Sequence, residues 1–188
     1  MENEFYNKIR ENPIIAAVNN SEKLDKAIQS PCEIIFLLTG SIFNLQELVS
    51  RVKAHGKSVY IHLDLIDGFS RNVCALKYIN ENIKPDGIIT TKNSLIKAAK
   101  EMGLFTIQRL FMLDALSLES GINSIRTMRP DAVEILPGIM PRVTNIINTE
   151  VNIPIITGGL ISDKEDVIAS IKAGAIGVST SKEEIWYM

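Results

Sequence analysis

Two short segments near the C-terminus combine the residue types that bind phosphate groups in proteins. Each is an apolar run that predicts a β-strand; one ends in two glycines and the other in three hydroxyl residues. Backbone N–H groups and hydroxyls donate hydrogen bonds to phosphate oxygens, and glycine allows these oxygens to come close. The residues that we expect to hold a phosphate group are Gly158, Gly159, Ser179, Thr180 and Ser181.

Both segments are followed by a pattern typical of a helix start. Residues 162–165 (SDKE) and 181–184 (SKEE) have the spacing of a capping box. A helix N-terminus favours an anion because its N–H groups point outward and its dipole is positive there. The alternative is that the glycines and hydroxyls serve only tight packing of strand against helix and ordinary capping.

The rest of the chain alternates strand-like and helix-like segments, with about 20 to 25 residues in each of eight units. The predicted strands are 13–18, 33–38, 58–65, 88–91, 105–112, 132–136, and those within 153–160 and 173–181. Eight such units predict an α/β fold, a small (β/α)8 barrel that spans residues 1–188 as a single domain. An open doubly wound sheet is the second choice, since the glycine fingerprint that it needs is missing after the first strand. In a barrel, functional residues lie at the carboxyl ends of the strands, and phosphate often binds after the last two.

Alternation along three strands predicts which polar side chains point into the barrel. On the third strand His62 and Asp64 share a face opposite the apolar residues, and Gln108 and Glu134 are assigned inward by the same reasoning. Asp64, Gln108 and Glu134 could bind the hydroxyls of a polyol, or could satisfy one another in a polar core. His62 lies deeper, and we expect it to be structural.

For two cationic residues the sequence leaves alternatives open: the direction of the Arg109 side chain and the role of Lys92. Arg109 follows Gln108 directly and faces the opposite way unless the strand bulges or ends, so its direction is ambiguous. Lys92, at the end of the fourth strand, could form a Schiff base or contact phosphate, but a lysine there more often lies at a helix start.

Composition excludes several classes of protein. The net charge of −2 gives no overall basic field for nucleic acid, and the apolar runs are too short to cross a bilayer. Residues 1–4 (MENE) are acidic and do not resemble a secretory signal. Cys32 and Cys74 are isolated, which predicts buried, reduced thiols in a cytoplasmic protein. We find no metal-ligand cluster, no P-loop and no nucleophile elbow.

Seven segments occur in an order that resembles a known family. They are 36–41 (FLLTGS), 62–68 (HLDLIDG), 86–91 (DGIITT), 107–114 (IQRLFMLD), 133–138 (VEILPG), 156–160 (ITGGL) and 177–181 (GVSTS). Together they resemble the glycerol-3-phosphate-responsive antiterminator of the bacterial glycerol uptake operon, over nearly the whole chain. The segments 107–114 and 134–138 make the resemblance specific. One departure is Thr39, where we expect a bulkier residue.

The resemblance implies a regulator and not an enzyme, with no cofactor. Such proteins bind glycerol 3-phosphate and act on the leader mRNA of glycerol-utilisation genes, preventing premature termination of transcription. The phosphate would then lie on the glycine and hydroxyl residues named above, with Asp64, Gln108 and Glu134 placed for the glycerol hydroxyls. We expect no membrane association, and a homo-oligomer is left open.

An RNA-binding surface is not evident in the sequence. There is no RNA-recognition motif and no arginine-rich tract. Two groups of basic residues are candidates, although each is more typical of a solvated helix face. They are Arg51, Lys53 and Lys57, and separately Lys92, Lys97 and Lys100.

Two other functions are compatible with the same residues. A phosphate-handling barrel enzyme, such as an isomerase, an aldolase or a glycerol-phosphate prenyltransferase, would use Asp64 or Glu134 as its base. A prenyltransferase would also need Mg²⁺ and a long apolar channel. The third hypothesis is an oligomeric scaffold with an unused phosphate pocket.

Overall fold

The computed structural model describes residues 4–188 and has eight parallel strands in a closed barrel. Each strand pairs with the next along the chain, and β8 pairs with β1 to close the barrel. The strands β1 to β8 are Ile14–Val18, Ile34–Leu37, Ser58–His62, Gly87–Thr90, Phe105–Phe111, Ala132–Leu136, Ile155–Gly158 and Gly177–Thr180. The predicted (β/α)8 architecture is therefore confirmed.

Helices surround the barrel and cover the outer faces of the strands. The helices α1 to α8 are Glu4–Glu11, Leu24–Gln29, Leu45–Ala54, Val73–Tyr78, Asn93–Glu101, Ala115–Met128, Pro141–Glu150 and Lys164–Lys172. A π-helical segment, Ile79–Ile83, extends α4, and short 3-10 segments are Ser21–Lys23, Leu63–Leu65 and Glu183–Tyr187. None of the helices in residues 4–188 is long and apolar enough to cross a membrane.

The helix α1 precedes the first strand and was not predicted. Its Phe5 and Ile9 are buried against the N-terminal end of the barrel. The Phe5 ring lies 5.3 Å from the ring of Tyr60 and 4.6 Å from that of Phe105, centroid to centroid. A Cβ on Gly177 of β8 would collide with the Ile9 side chain, so this position admits α1 because it is glycine. The N-terminal end of the barrel is thus closed by apolar packing.

The barrel interior changes character from one end to the other. Near α1 and in the middle it is apolar, with fully buried Ile15, Ile107 and Ile156 in one cluster. Towards the carboxyl ends of the strands the interior becomes polar, because Arg109 and Glu134 point into it there. Apolar residues on both faces of the strands, in the part nearer their N-terminal ends, are expected for a parallel barrel.

The two predicted helix starts are each displaced by one residue, and the second begins a 3-10 segment. The helix α8 begins at Lys164, and its N-cap is Asp163, which accepts a hydrogen bond from the backbone N–H of Asp166. Ser162 lies one residue earlier and donates to the Asp166 carboxylate instead of capping the helix. The C-terminal helix is a five-residue 3-10 segment whose N-cap, Lys182, makes no capping bond with its side chain.

The two cysteines lie in different surroundings. Cys32 is buried, as predicted, and burial raises the pKa of its thiol. Cys74 is exposed, and its predicted burial is wrong because it lies on the outer side of α4. Neither forms a disulfide. The acidic N-terminal segment is only partly within the described residues, since residues 1–3 lie outside them.

Candidate functional site

A cavity of about 380 Å³ opens at the carboxyl ends of the strands. This volume lies within the range of small-molecule sites in proteins. The lining residues are Ala17, Asn19, Leu38, Arg109, Glu134, Leu136, Gly159, Leu160, Ile161, Ser162, Ser179, Thr180 and Ser181. Four of the five residues predicted for phosphate are among them, so the fold brings these residues together. Their contact with a ligand stays a prediction.

A buried ion pair anchors one wall of this cavity. Arg109 on β5 lies opposite Glu134 on β6, and its Nε donates to Glu134 Oε2 at 2.6 Å. The other carboxylate oxygen, Oε1, accepts from Ser179 Oγ at 2.6 Å. Arg109 is 6% exposed and Glu134 is 0% exposed. Since both oxygens of Glu134 have a partner, the carboxylate fixes Arg109 and Ser179 relative to each other.

The direction of Arg109, ambiguous in the sequence, is inward. Because Nε carries the bond to Glu134, the two terminal nitrogens of the guanidinium remain, and the described residues give them no other hydrogen bond. A guanidinium presents its N–H groups in a rigid fork that matches phosphate and carboxylate oxygens. Arg109 therefore provides the cavity with a fixed cationic donor.

Gly158 lies beneath the cavity and not on its lining. A Cβ at this position would collide with Ser179 Oγ and would lie 2.8 Å from Glu134 Oε1. Glycine is required here because the Arg109–Glu134–Ser179 network occupies the space. The next residue, Gly159, does line the cavity and has φ +75°, a conformation that favours glycine.

The predicted orientation of Gln108 is wrong. Its Nε2 donates to Asn93 Oδ1 at 2.8 Å and to Ser124 Oγ at 2.7 Å, and these partners lie on α5 and α6. Phe105 and Ile107 occupy the inward positions of β5, so Gln108 falls on the outer face. The error came from assuming that apolar residues always face the helices. Gln108 is therefore no longer a candidate for the ligand.

Asp64 lies beyond the end of its strand. β3 stops at His62, and Asp64 belongs to the 3-10 turn that follows. Its carboxylate accepts from Thr90 Oγ1, from the Thr91 backbone N–H at 2.8 Å and from Thr91 Oγ1. It borders a neighbouring depression with Lys92, away from the cavity described above. Its predicted contact with glycerol stays a prediction, and these bonds give it a separate structural task.

His62 points inward, as predicted, and is 3% exposed. Its Nδ1 is buried without a hydrogen-bond partner among residues 4–188. Burial, and next the positive charge of Arg109, lower the pKa of the imidazole to about 4, while Asp64 acts in the opposite direction. His62 is thus neutral at physiological pH and adds no second cation to the cavity.

Of the two helix N-termini predicted beside the phosphate residues, only that of α8 belongs to an α-helix. The helix α8 starts only at Lys164, and the C-terminal segment is too short to have an N-terminal site. The positive charge on the cavity comes from Arg109 instead. Alternation places Phe105, Ile107 and Arg109 on one face of β5, but only the structure shows that this face is the inward one.

The basic residues considered for RNA mostly have partners in the structure. Arg51 pairs with Asp25, and Lys53 lies 3.0 Å from the Asp86 carboxylate. Lys57 donates to two backbone carbonyls. Lys92 lies at the start of α5, where its Nζ donates to the Arg71 carbonyl. Arg51 and Lys53 are thus paired with carboxylates, whereas Lys57, Lys92 and Lys100 donate to neutral carbonyl oxygens and keep their positive charge.

The fold and the cavity define a class of protein: a (β/α)8 barrel with a small, arginine-anchored pocket at the carboxyl ends of its strands. Residues 14–186 match the family described as glycerol-3-phosphate responsive antiterminator. The chain belongs to this family.

Similar proteins agree with this membership. One similar structure is that of the glycerol uptake operon antiterminator regulatory protein from Listeria monocytogenes str. 4b F2365. Its sequence is 35% identical to this one, and the match covers 93% of this chain and 95% of the Listeria chain, with a TM-score of 0.90. A second similar structure is that of a glycerol uptake operon antiterminator-related protein from Thermotoga maritima MSB8. It is 31% identical, and the match covers 93% of this chain and 98% of the Thermotoga chain, with a TM-score of 0.84. The Uncharacterized protein YgcP of Escherichia coli (strain K12) is 38% identical over 178 residues, 95% of this chain and 93% of that protein.

Proposed function

We propose that this chain is a cytoplasmic, glycerol-3-phosphate-responsive antiterminator that binds its ligand in the C-terminal cavity and acts on leader mRNA. Family membership supports the regulatory role. The observation that carries the ligand site is Arg109, whose guanidinium is held by Glu134 and directed to the cavity. Such a fork binds the oxygens of phosphate and carboxylate groups, and the family description favours a phosphate ester.

In this proposal the phosphate group lies between the guanidinium of Arg109 and the loops that follow β7 and β8. Gly159 allows close approach of the backbone, and the hydroxyls of Ser179, Thr180 and Ser181 line the same side. The glycerol hydroxyls would then point towards Glu134, whose oxygens accept hydrogen bonds.

The enzyme hypothesis gains no specific support from the site. A general base needs a carboxylate oxygen that can take a proton from the substrate. Glu134 is engaged by Arg109 and Ser179, and Asp64 by Thr90 and Thr91. We propose a binding protein without turnover because the family is described as a regulator.

The first experiment measures ligand binding by calorimetry. We expect saturable binding of glycerol 3-phosphate by the wild-type protein, with much weaker binding of glycerol or inorganic phosphate. Arg109→Lys should weaken the affinity at least about tenfold, because a lysine cannot reproduce the fork. The matched control is Lys92→Ala, which removes an exposed cation outside the cavity and should leave the affinity unchanged.

The second experiment tests the RNA step by filter binding to the leader RNA of the glycerol operon. Affinity for RNA should change at least several-fold with glycerol 3-phosphate and should be indifferent to inorganic phosphate. A ligand can alter RNA affinity only if it binds one state of the protein better than another. Absence of RNA binding at every ligand concentration, or release of a chemical product from the ligand, would rule the proposal out.

A further inference from the structure

Eight large apolar side chains are exposed on one end of the barrel, around the mouth of the cavity. Phe111 is the last residue of β5, and the other seven follow β2, β3, β5, β6 and β7 at the carboxyl ends of these strands. Their exposed fractions are Ile42 51%, Phe43 96%, Leu65 47%, Phe111 50%, Leu113 82%, Leu116 73%, Ile139 44% and Leu160 70%. We call these eight residues the apolar rim. Single exposed apolar residues are ordinary, but so many at one end of a barrel mark an interaction surface.

Backbone hydrogen bonds join the loops of the rim into two arcs. The loops after β2 and β3 are joined by the Ile42 N–H, which donates to the Asp67 carbonyl at 2.9 Å. The loops after β5, β6 and β7 are joined by the Met112 N–H to the Leu136 carbonyl and by the Gly138 N–H to the Gly159 carbonyl. The apolar side chains of each arc are therefore held on connected backbone.

The chemistry of the rim suits a protein partner better than RNA. Six of its eight residues are aliphatic, and these offer neither a charge for phosphate nor a flat ring for base stacking. Interfaces with nucleic acid are strongly positive, whereas the cores of homodimer interfaces are apolar and poor in charged residues. The exposed area of the eight side chains is on the order of 800 Å², which is what each partner contributes to a stable complex.

We infer that the apolar rim is the interface between two copies of this chain, which pack with their cavity mouths facing each other. A second copy brings the same apolar surface, and an isologous contact of this kind closes on itself as a dimer. Leu160 belongs to the rim and also lines the cavity, so the partner covers the entrance to the ligand site. This inference does not depend on the identity of the ligand or on RNA binding.

Sedimentation equilibrium of the full chain tests this inference. We expect a wild-type dimer with a Kd of about 10 µM or tighter, and at least about tenfold weaker association for Phe43→Asp and for Leu113→Asp. The matched control is Ile168→Asp, which alters a 41% exposed apolar residue on α8, outside the rim, and should leave the dimer intact. Circular dichroism of each variant confirms that its barrel is folded.

Three results would overturn the inference. A wild-type chain that stays monomeric at about 100 µM excludes a stable dimer through any surface. A dimer that persists in both Phe43→Asp and Leu113→Asp places the interface elsewhere. A monomer whose leader-RNA binding is lost in Phe43→Asp and kept in Ile168→Asp identifies the rim as an RNA surface instead.

Discussion

Arg109 and Glu134 are neighbours in the parallel register of β5 and β6, and their side chains meet inside the barrel at 2.6 Å. The contact uses Nε of the arginine and not its terminal nitrogens. The guanidinium is therefore oriented from behind, and its outer edge is turned to the cavity. A buried cation oriented in this way depends on its carboxylate partner for stability, and its terminal nitrogens face the cavity, where water or a ligand can accept from them.

Glu134→Gln should lower the free energy of unfolding by about 3–5 kcal/mol, because it leaves a buried guanidinium without its counter-charge. In the proposed complex the phosphate group supplies negative charge at the outer edge of the same guanidinium. Glycerol 3-phosphate should therefore raise the Tm of the variant more than it raises that of the wild type. Urea denaturation and thermal melts measure both effects. Glu183→Gln, in an exposed ion pair with Lys23 and Lys26, is the control and should show neither.

Gly158→Ala should destabilise the protein by about 1–3 kcal/mol, because its Cβ enters the space of Ser179 and Glu134. Adding Ser179→Ala removes one of the two colliding groups and should recover part of the loss. Gly121→Ala is the control: its Cβ meets the flexible end of Met112, and alanine favours the helix α6. Equal loss at both glycines in urea denaturation would contradict the packing argument.

The stability of the protein should fall as the pH is lowered from 6.5 to 4. The folded His62 has a pKa of about 4, below the ordinary value of 6.5, so only the unfolded chain takes up a proton in this window. Proton uptake by the unfolded state favours unfolding, by up to about 3 kcal/mol at pH 4. His62→Gln should flatten this slope in urea denaturation at several pH values. His55→Gln, at the exposed second histidine, should leave it unchanged.

Asp64→Asn should affect stability more than ligand affinity. Its carboxylate accepts bonds from Thr90 and Thr91, and weakening them should cost about 1–3 kcal/mol. Since Asp64 is not on the cavity lining, the affinity for glycerol 3-phosphate should stay within about twofold of the wild type. The control is Asp67→Asn, which makes the same change of carboxylate to amide at a nearby residue. An affinity loss of tenfold or more, measured by calorimetry, would instead support the predicted contact between Asp64 and the glycerol hydroxyls.

The barrel could be predicted because apolar runs and turn residues repeat at a regular interval. The side chains that point into the site could be predicted only for strands that have one polar and one apolar face. Glu134 has apolar neighbours that pack against helices, so its inward direction followed correctly. β5 has apolar residues on both faces, and alternation alone could not tell whether Gln108 or Arg109 faces the interior.

Two other features could not be predicted from the sequence, for different reasons. The helix α1 has eight residues, of which only Phe5 and Ile9 are buried, so its apolar pattern is too short to be distinctive in the sequence. The apolar rim was not predicted because Phe43 lies between a turn and a predicted helix and Leu113 directly follows the predicted fifth strand, and neither position indicates exposure. Exposure is a property of the assembled barrel, and local pattern does not encode it.

The helix α1 has a consequence for how fast the ligand exchanges. Because Phe5 and Ile9 close the N-terminal end of the barrel, a ligand in the cavity must leave by the route through which it entered. When a second copy covers that mouth, the dwell time of the ligand is set by how often the two copies separate, and no longer by its own contacts. In the proposed dimer the protein would therefore respond with a delay after the ligand concentration falls, and the dissociation rate of the dimer would set the length of that delay.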